Sequence, residues 1–113
     1  MKEKSTRDVG RILEEYVLAK VKEIDPKAKI YSNKSQKDIA CNFGFGECKK
    51  RNTKDFTIKE DVWNHLNNNL PINTKKFCFM VHENVNGKRL VTLDLEEFFR
   101  LLHFVNEEGR LTE

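Results

Sequence analysis

Apolar residues recur every three or four positions from about Asp8 to Ile24, at Val9, Ile12, Leu13, Tyr16, Val17, Val21 and Ile24. That spacing puts them on one face of an amphipathic helix, which Asp25-Pro26 ends. Alternation and β-branched residues predict a short strand near Lys29 to Ser32, and the polar run Asn33 to Lys37 predicts an exposed loop. Two further strands are expected at about Asp38 to Phe43 and Phe45 to Asn52, with Gly44 and Gly46 supplying the backbone freedom of a tight hairpin. Thr57 and Glu60 form a capping-box pattern ahead of a second helix, whose inner face is Ile58, Val62, Trp63, Leu66 and Leu70 and which Pro71 closes. Lys76 to His82 reads as a buried strand, and Asn86-Gly87 as the turn into another at Arg89 to Leu93. Asp94 and Glu97 make a second capping box. The helix they open points Leu95, Phe98, Phe99, Leu102 and Val105 inward and frays at Gly109.

This order predicts an α/β fold: a mixed sheet of about five strands flanked by helices. With 113 residues, 38% of them hydrophobic, the chain can bury one modest core, so residues 1–113 are expected to form a single domain. Charged residues make up 35% of the chain with a net charge of +3, a mixture unlike an acidic tail or a disordered segment. The basic residues are unevenly spread. Arg7 and Arg11, Lys34 and Lys37, and Lys49, Lys50, Arg51 and Lys54 form groups that suit a phosphate-binding face. No apolar run reaches bilayer length and Met1 to Asp8 lacks the apolar stretch of a secretory signal, so a soluble, cytoplasmic protein without a membrane partner is expected. Cys41, Cys48 and Cys78 show no CxxC spacing. Their odd number fits a reducing compartment and a role as small core residues. His65, His82 and His103 show no ligand spacing and read as surface or satisfied core residues.

The candidate chemistry lies in the central hairpin. Side chains on a strand alternate between faces, so Glu47 and Lys49 project to one side while Cys48 projects into the core. Asp38, on the partner strand, is expected to bring its carboxylate toward Glu47. Two converging carboxylates repel each other unless a divalent cation sits between them. Oxygen ligands from Asp38, Glu47 and the backbone carbonyl of Cys48 favour Mg2+, with Mn2+ able to substitute, over zinc. Such an ion can polarise a phosphodiester and acidify a bound water, while Lys49 orients that water or stabilises charge in the transition state. Glu14 shares a stripe of the first helix with Arg7 and Arg11, so it can look toward the metal with two arginines placed for DNA phosphates. Other readings stand beside these: an ordinary cross-strand salt bridge on a solvated face for Asp38, Glu47 and Lys49, and a solvated helix carboxylate paired with Arg11 for Glu14.

These residues resemble the archaeal-type Holliday junction resolvases, small PD-(D/E)XK nucleases that some phages also carry. The similarity spans about Arg7 to Arg51. It rests on Gly10 with Glu14 four residues later, on Ser35 three residues before Asp38, and on the triplet Glu47-Cys48-Lys49. Lys37 stands where the superfamily name has Pro, and no QxxxY-like pattern follows Lys49, which argues against the exonuclease branch. The resemblance implies a restriction-endonuclease-like core and a magnesium-dependent endodeoxyribonuclease acting as a homodimer. Its partner would be branched DNA, a four-way junction cut in two opposed strands. Carried over by position, Asp38 and Glu47 would bind metal, Glu14 would help hold it, Lys49 would serve the nucleophile and Ser35 would contact the phosphate at the cleavage site.

Two other functions compete with this one. A PD-(D/E)XK nuclease could act on other duplex or branched DNA, and a non-catalytic module could merely grip phosphates through the basic groups. A pure binder has no reason to set Asp38, Glu47 and Glu14 at the centre of a basic surface, where each repels the phosphate it should attract.

Overall fold

The computed structural model describes residues 6–33, 36–68, 70 and 76–108, with the backbone alone described for 6–10, 31–33 and 36–38. The chain runs α1 (Thr6–Lys22), β1 (Lys29–Asn33), β2 (Gln36–Cys41), β3 (Gly44–Lys50), α2 (Glu60–Asn67), β4 (Phe77–Glu83), β5 (Arg89–Leu93) and α3 (Leu95–Glu107). The strands form one mixed five-stranded sheet whose spatial order is the sequence order. β3 and β4 are parallel and the other neighbours antiparallel. The parallel step needs a crossover, and α2 lies within it.

The alternation read from the sequence sorts the two sheet faces. On one, Leu13, Val17 and Val21 of α1 pack with Ala28, Ile39 and Phe79, and Cys48 and Val81 join them. On the other, Leu66 of α2 packs with Cys78 and Met80, flanked by Phe45, Val62 and Trp63. Burying an aliphatic side chain of this size contributes about 2 kcal/mol, so each helix is held chiefly by its apolar stripe. Asp25 adds a polar tie near the end of α1: its carboxylate accepts from the backbone N–H of Lys27 at 3.1 Å and of Asn42 at 2.7 Å.

Several local expectations are corrected. β1 and β2 pair as far as Asn33 opposite Gln36, so Asn33, Gln36 and Lys37 of the expected loop belong to strands, and residues 34–35 lie outside the described ones. Gly44 does serve the β2–β3 turn, at φ 156°, and a Cβ there would sit 1.7 Å from the Phe77 carbonyl oxygen. Gly46 instead makes room for the Phe79 ring, which lies 2.2 Å from where its Cβ would be. Thr57 does not cap α2. Lys59, in extended backbone, is the N-cap without a side-chain bond, and Glu60 is the first helical residue, where its charge suits the helix dipole. Pro71 and Gly109 lie outside the described residues.

At α3, Asp94 caps as expected by accepting from the N–H of Glu96 at 3.0 Å, but Glu97 bonds to Arg100 and does not complete the box. The inward face is corrected in part: of its residues Leu95, Phe98 and Phe99 are exposed, while Leu102 and Val105 are half-buried and no residue of α3 is fully buried. Asp94 alone separates the helix from the outer strand β5, and α1 and α2 already occupy the sheet faces.

Candidate functional site

Asp38 and Glu47 are direct backbone partners in the β2–β3 register. They are also the last pair of that ladder. β2 continues to Gln36 alongside β1, and β3 continues to Lys50 alongside β4, while the two strands part from each other. The pair therefore stands at the mouth of a fork in the sheet. The side chain of Asp38 lies outside the described ones, as do those of Lys37 and Arg7; Lys34 and Ser35 lie outside the described residues altogether.

Glu47 is only 4% exposed. Its Oε1 lies 2.7 Å from Nζ of Lys49, two residues along the strand and on the same face. Cys48 between them turns to the α1 side and packs against that core. The solvated salt bridge weighed for these residues is corrected in part, because the Glu47 half of this ion pair is removed from water. α2 covers the neighbouring stretch of this face over Phe45, Cys78 and Met80. Farther along, Phe56 from the segment after β3 sets its ring edge-on to His82, with centroids 6.5 Å apart.

His82 departs most from the expectation. It is 1% exposed, and neither Nδ1 nor Nε2 has a hydrogen-bond partner among the described residues. It is thus neither a surface histidine nor a satisfied one. It stands level with Lys49 in the parallel β3–β4 register, on the face that carries Glu47. Burial above all, with the nearby charges of Arg51 and Lys49, pushes the imidazole below its ordinary pKa against the opposing pull of Glu47. Sequence spacing could not reveal this residue, because its neighbours come from a strand far away in the chain. His65 and His103 are exposed.

Other site residues scatter. Glu14 is half-buried on α1, which packs on the sheet face opposite Glu47. Arg11 is exposed and lies 3.8 Å from Glu15. Lys50, expected to meet DNA, is engaged within the fold: its Nζ lies 2.7 Å from Glu83 Oε2 and donates to the Asn84 carbonyl at 3.0 Å. One place along β3 from Lys49, it falls on the other sheet face, where Glu83 waits. Arg51 is half-buried, with its Nε enclosed and unpartnered among the described residues, and Lys54 is exposed.

Among the described residues no three His, Cys, Asp or Glu side chains form a metal-holding group, and the carboxylate of Asp38 is not among those side chains. A buried Glu47 directly across the ladder from an aspartate position, with a backbone edge freed by the fork, offers oxygen donors of the kind a hard divalent cation takes. No helix among the described residues is long and apolar enough to cross a membrane. Compared with family models, with curated proteins and with solved structures, the chain matches none.

Proposed function

We propose that the chain is a magnesium-dependent DNA endonuclease with a PD-(D/E)XK core, acting on branched DNA and specifically on four-way junctions. One observation carries this reading: Asp38 and the buried Glu47 are register partners where β2 and β3 separate, with Lys49 on the same face. A buried carboxylate such as Glu47, set at a strand fork opposite an aspartate position, is costly as structure alone and useful as part of a cation site. The order of α1, three antiparallel strands, α2 and a parallel fourth strand supports the same core.

In this reading Asp38 and Glu47 hold the ion, with the Cys48 carbonyl as a further donor and Glu14 reaching in through the fork. The bound ion supplies Lewis acidity toward a phosphodiester and a more acidic water. Lys49 lies beside Glu47, so its ammonium is within reach of both the attacking water and the phosphate oxygens, where it orients the one and offsets charge on the other. Ser35 contacts the cleavage-site phosphate, and Arg7, Arg11, Lys34, Lys37, Arg51 and Lys54 grip the backbone; Lys50 drops from this set because Glu83 holds it. Two copies act together on the two opposed strands, a pairing supported by the uncovered apolar face of α3.

The test is incubation of wild type, Asp38→Asn and Lys49→Ala with labelled four-way junction, duplex and single strand, with and without magnesium. Wild type is expected to make paired nicks in the junction only with magnesium. Both variants should keep junction binding and lose about 10²-fold or more in cutting rate. Comparable cleavage by Asp38→Asn sinks the site assignment, and equal cutting of junction and plain duplex removes the junction preference.

A further inference from the structure

The ion pair at the candidate site poses a problem that His82 can solve. A divalent cation and the Lys49 ammonium compete for the Glu47 carboxylate and repel each other. A cation on Glu47 weakens the hold of that carboxylate on Lys49 and pushes the ammonium away. The Lys49 side chain is 30% exposed, so most of it lies within the fold, where an acceptor nearby would hold the displaced ammonium in place. The partner strand sets Met80 level with Glu47 and His82 level with Lys49, and Phe56 stands beside the imidazole. Met80 and Phe56 offer no strong acceptor, and Arg51 offers only donors. The neutral imidazole has one acceptor nitrogen, and its enclosed ring atoms have no partner among the described residues. A buried polar group without a partner in the fold is costly, and its acceptor is available to a partner that arrives.

We propose that His82 is a positioning residue that takes the Lys49 ammonium when Glu47 engages a divalent ion, holding Lys49 beside the substrate phosphate instead of on the carboxylate. This rests on the metal-dependent reading above and adds to it a relay through the fourth strand. His82 itself binds neither metal nor DNA. Its effect on the ion passes entirely through Lys49, and a double-mutant cycle isolates that dependence.

The experiment titrates Mn2+ alone into the full chain, with free ion followed by electron paramagnetic resonance, so no DNA and no turnover enter. His82→Phe keeps an aromatic ring and removes the acceptor; it is expected to weaken Mn2+ binding about tenfold, as loss of an outer-shell partner does. His82→Gln, which restores an acceptor, should recover most of that loss. In a Lys49→Met background the same His82→Phe change should leave Mn2+ affinity unaltered, because no ammonium remains to be held. An equal loss with and without Lys49 overturns the proposal in favour of a direct ligand or a packing role, and no loss in either background overturns it outright. Should His82→Phe not fold, as judged by circular dichroism, the comparison of His82→Asn with His82→Gln in both backgrounds decides on the same criterion. Wild type that takes up no Mn2+ overturns the nuclease reading together with this one, whereas uptake indifferent to His82 leaves that reading standing and removes only the relay.

Discussion

Glu83 is the clearest case of a charged residue whose role is set by what surrounds it. It is largely buried, 2.7 Å from Nζ of Lys50, and accepts from Nε of Arg89 at 2.6 Å. The Arg89 guanidinium lies over the Tyr16 ring at 4.3 Å, so one carboxylate links β3, β4, β5 and α1. Lys50 first, and Arg89 with it, hold the Glu83 carboxyl below its ordinary pKa of 4.5 despite burial. A carboxyl depressed on folding contributes stability that is present above its unfolded pKa and is lost as pH falls through its folded one. Glu83→Gln is therefore expected to cost about 1–3 kcal/mol at pH 7, and urea midpoints of wild type and variant should converge as pH drops below 4.5. A gap that persists undiminished at low pH contradicts this account. The same cluster shows where sequence reading stops at the residue scale. Alternation along β3 made the shared face of Glu47 and Lys49 and the inward turn of Cys48 legible, because period two is a local property. Lys50 read as a DNA contact and His82 as unremarkable because their surroundings depend on the β3–β4 register, which no local pattern encodes.

Among the elements, β3 is where glycine does two different jobs. Gly44 serves the turn into the strand, and Gly46 leaves space for the Phe79 ring of β4. Gly46→Ala should destabilise by about 1–3 kcal/mol, since the added methyl overlaps a ring packed in the core. Thermal unfolding checks it, and pairing the change with Phe79→Leu should return part of the loss; an unaltered midpoint for the single variant rules the contact out as a constraint. Both glycines read in the sequence as hairpin residues, because composition marks backbone freedom without saying whether a turn or a neighbour requires it. The Asn86-Gly87 signal was simpler. Gly87 adopts φ 80° and β4 and β5 pair as a hairpin, with Asn84 Oδ1 accepting from the N–H groups of Asn86 and Lys88. The apolar spacing of α3 was legible too, but an apolar helix face reads the same whether its own core or something else covers it.

For the whole molecule, that uncovered helix sets the expectation. The Cα radius of gyration is 15.2 Å, against about 13 Å for a compact chain of this length, and Leu95, Phe98, Phe99 and Phe104 of α3 are exposed. Phe98 and Phe99 stack edge-on at 5.7 Å on its exposed side. If α3 joins two copies, Phe98→Glu with Phe99→Glu should shift sedimentation from dimer to monomer without lowering the thermal midpoint of the monomeric fold. Unchanged sedimentation would take α3 out of the interface. Fold class was recoverable at this scale because element order and periodicity carry it, whereas the fork between β2 and β3 became visible only with the register.

The sheet order has a kinetic consequence. Three of its four strand pairings join neighbours through short connections and can zip up from a turn. Docking β4 on β3 must first close the long stretch from Lys50 to Phe77 against chain entropy. Asp38, Glu47 and Lys49 can thus assemble early on one side of that step, and the imidazole of His82 arrives only when it is complete.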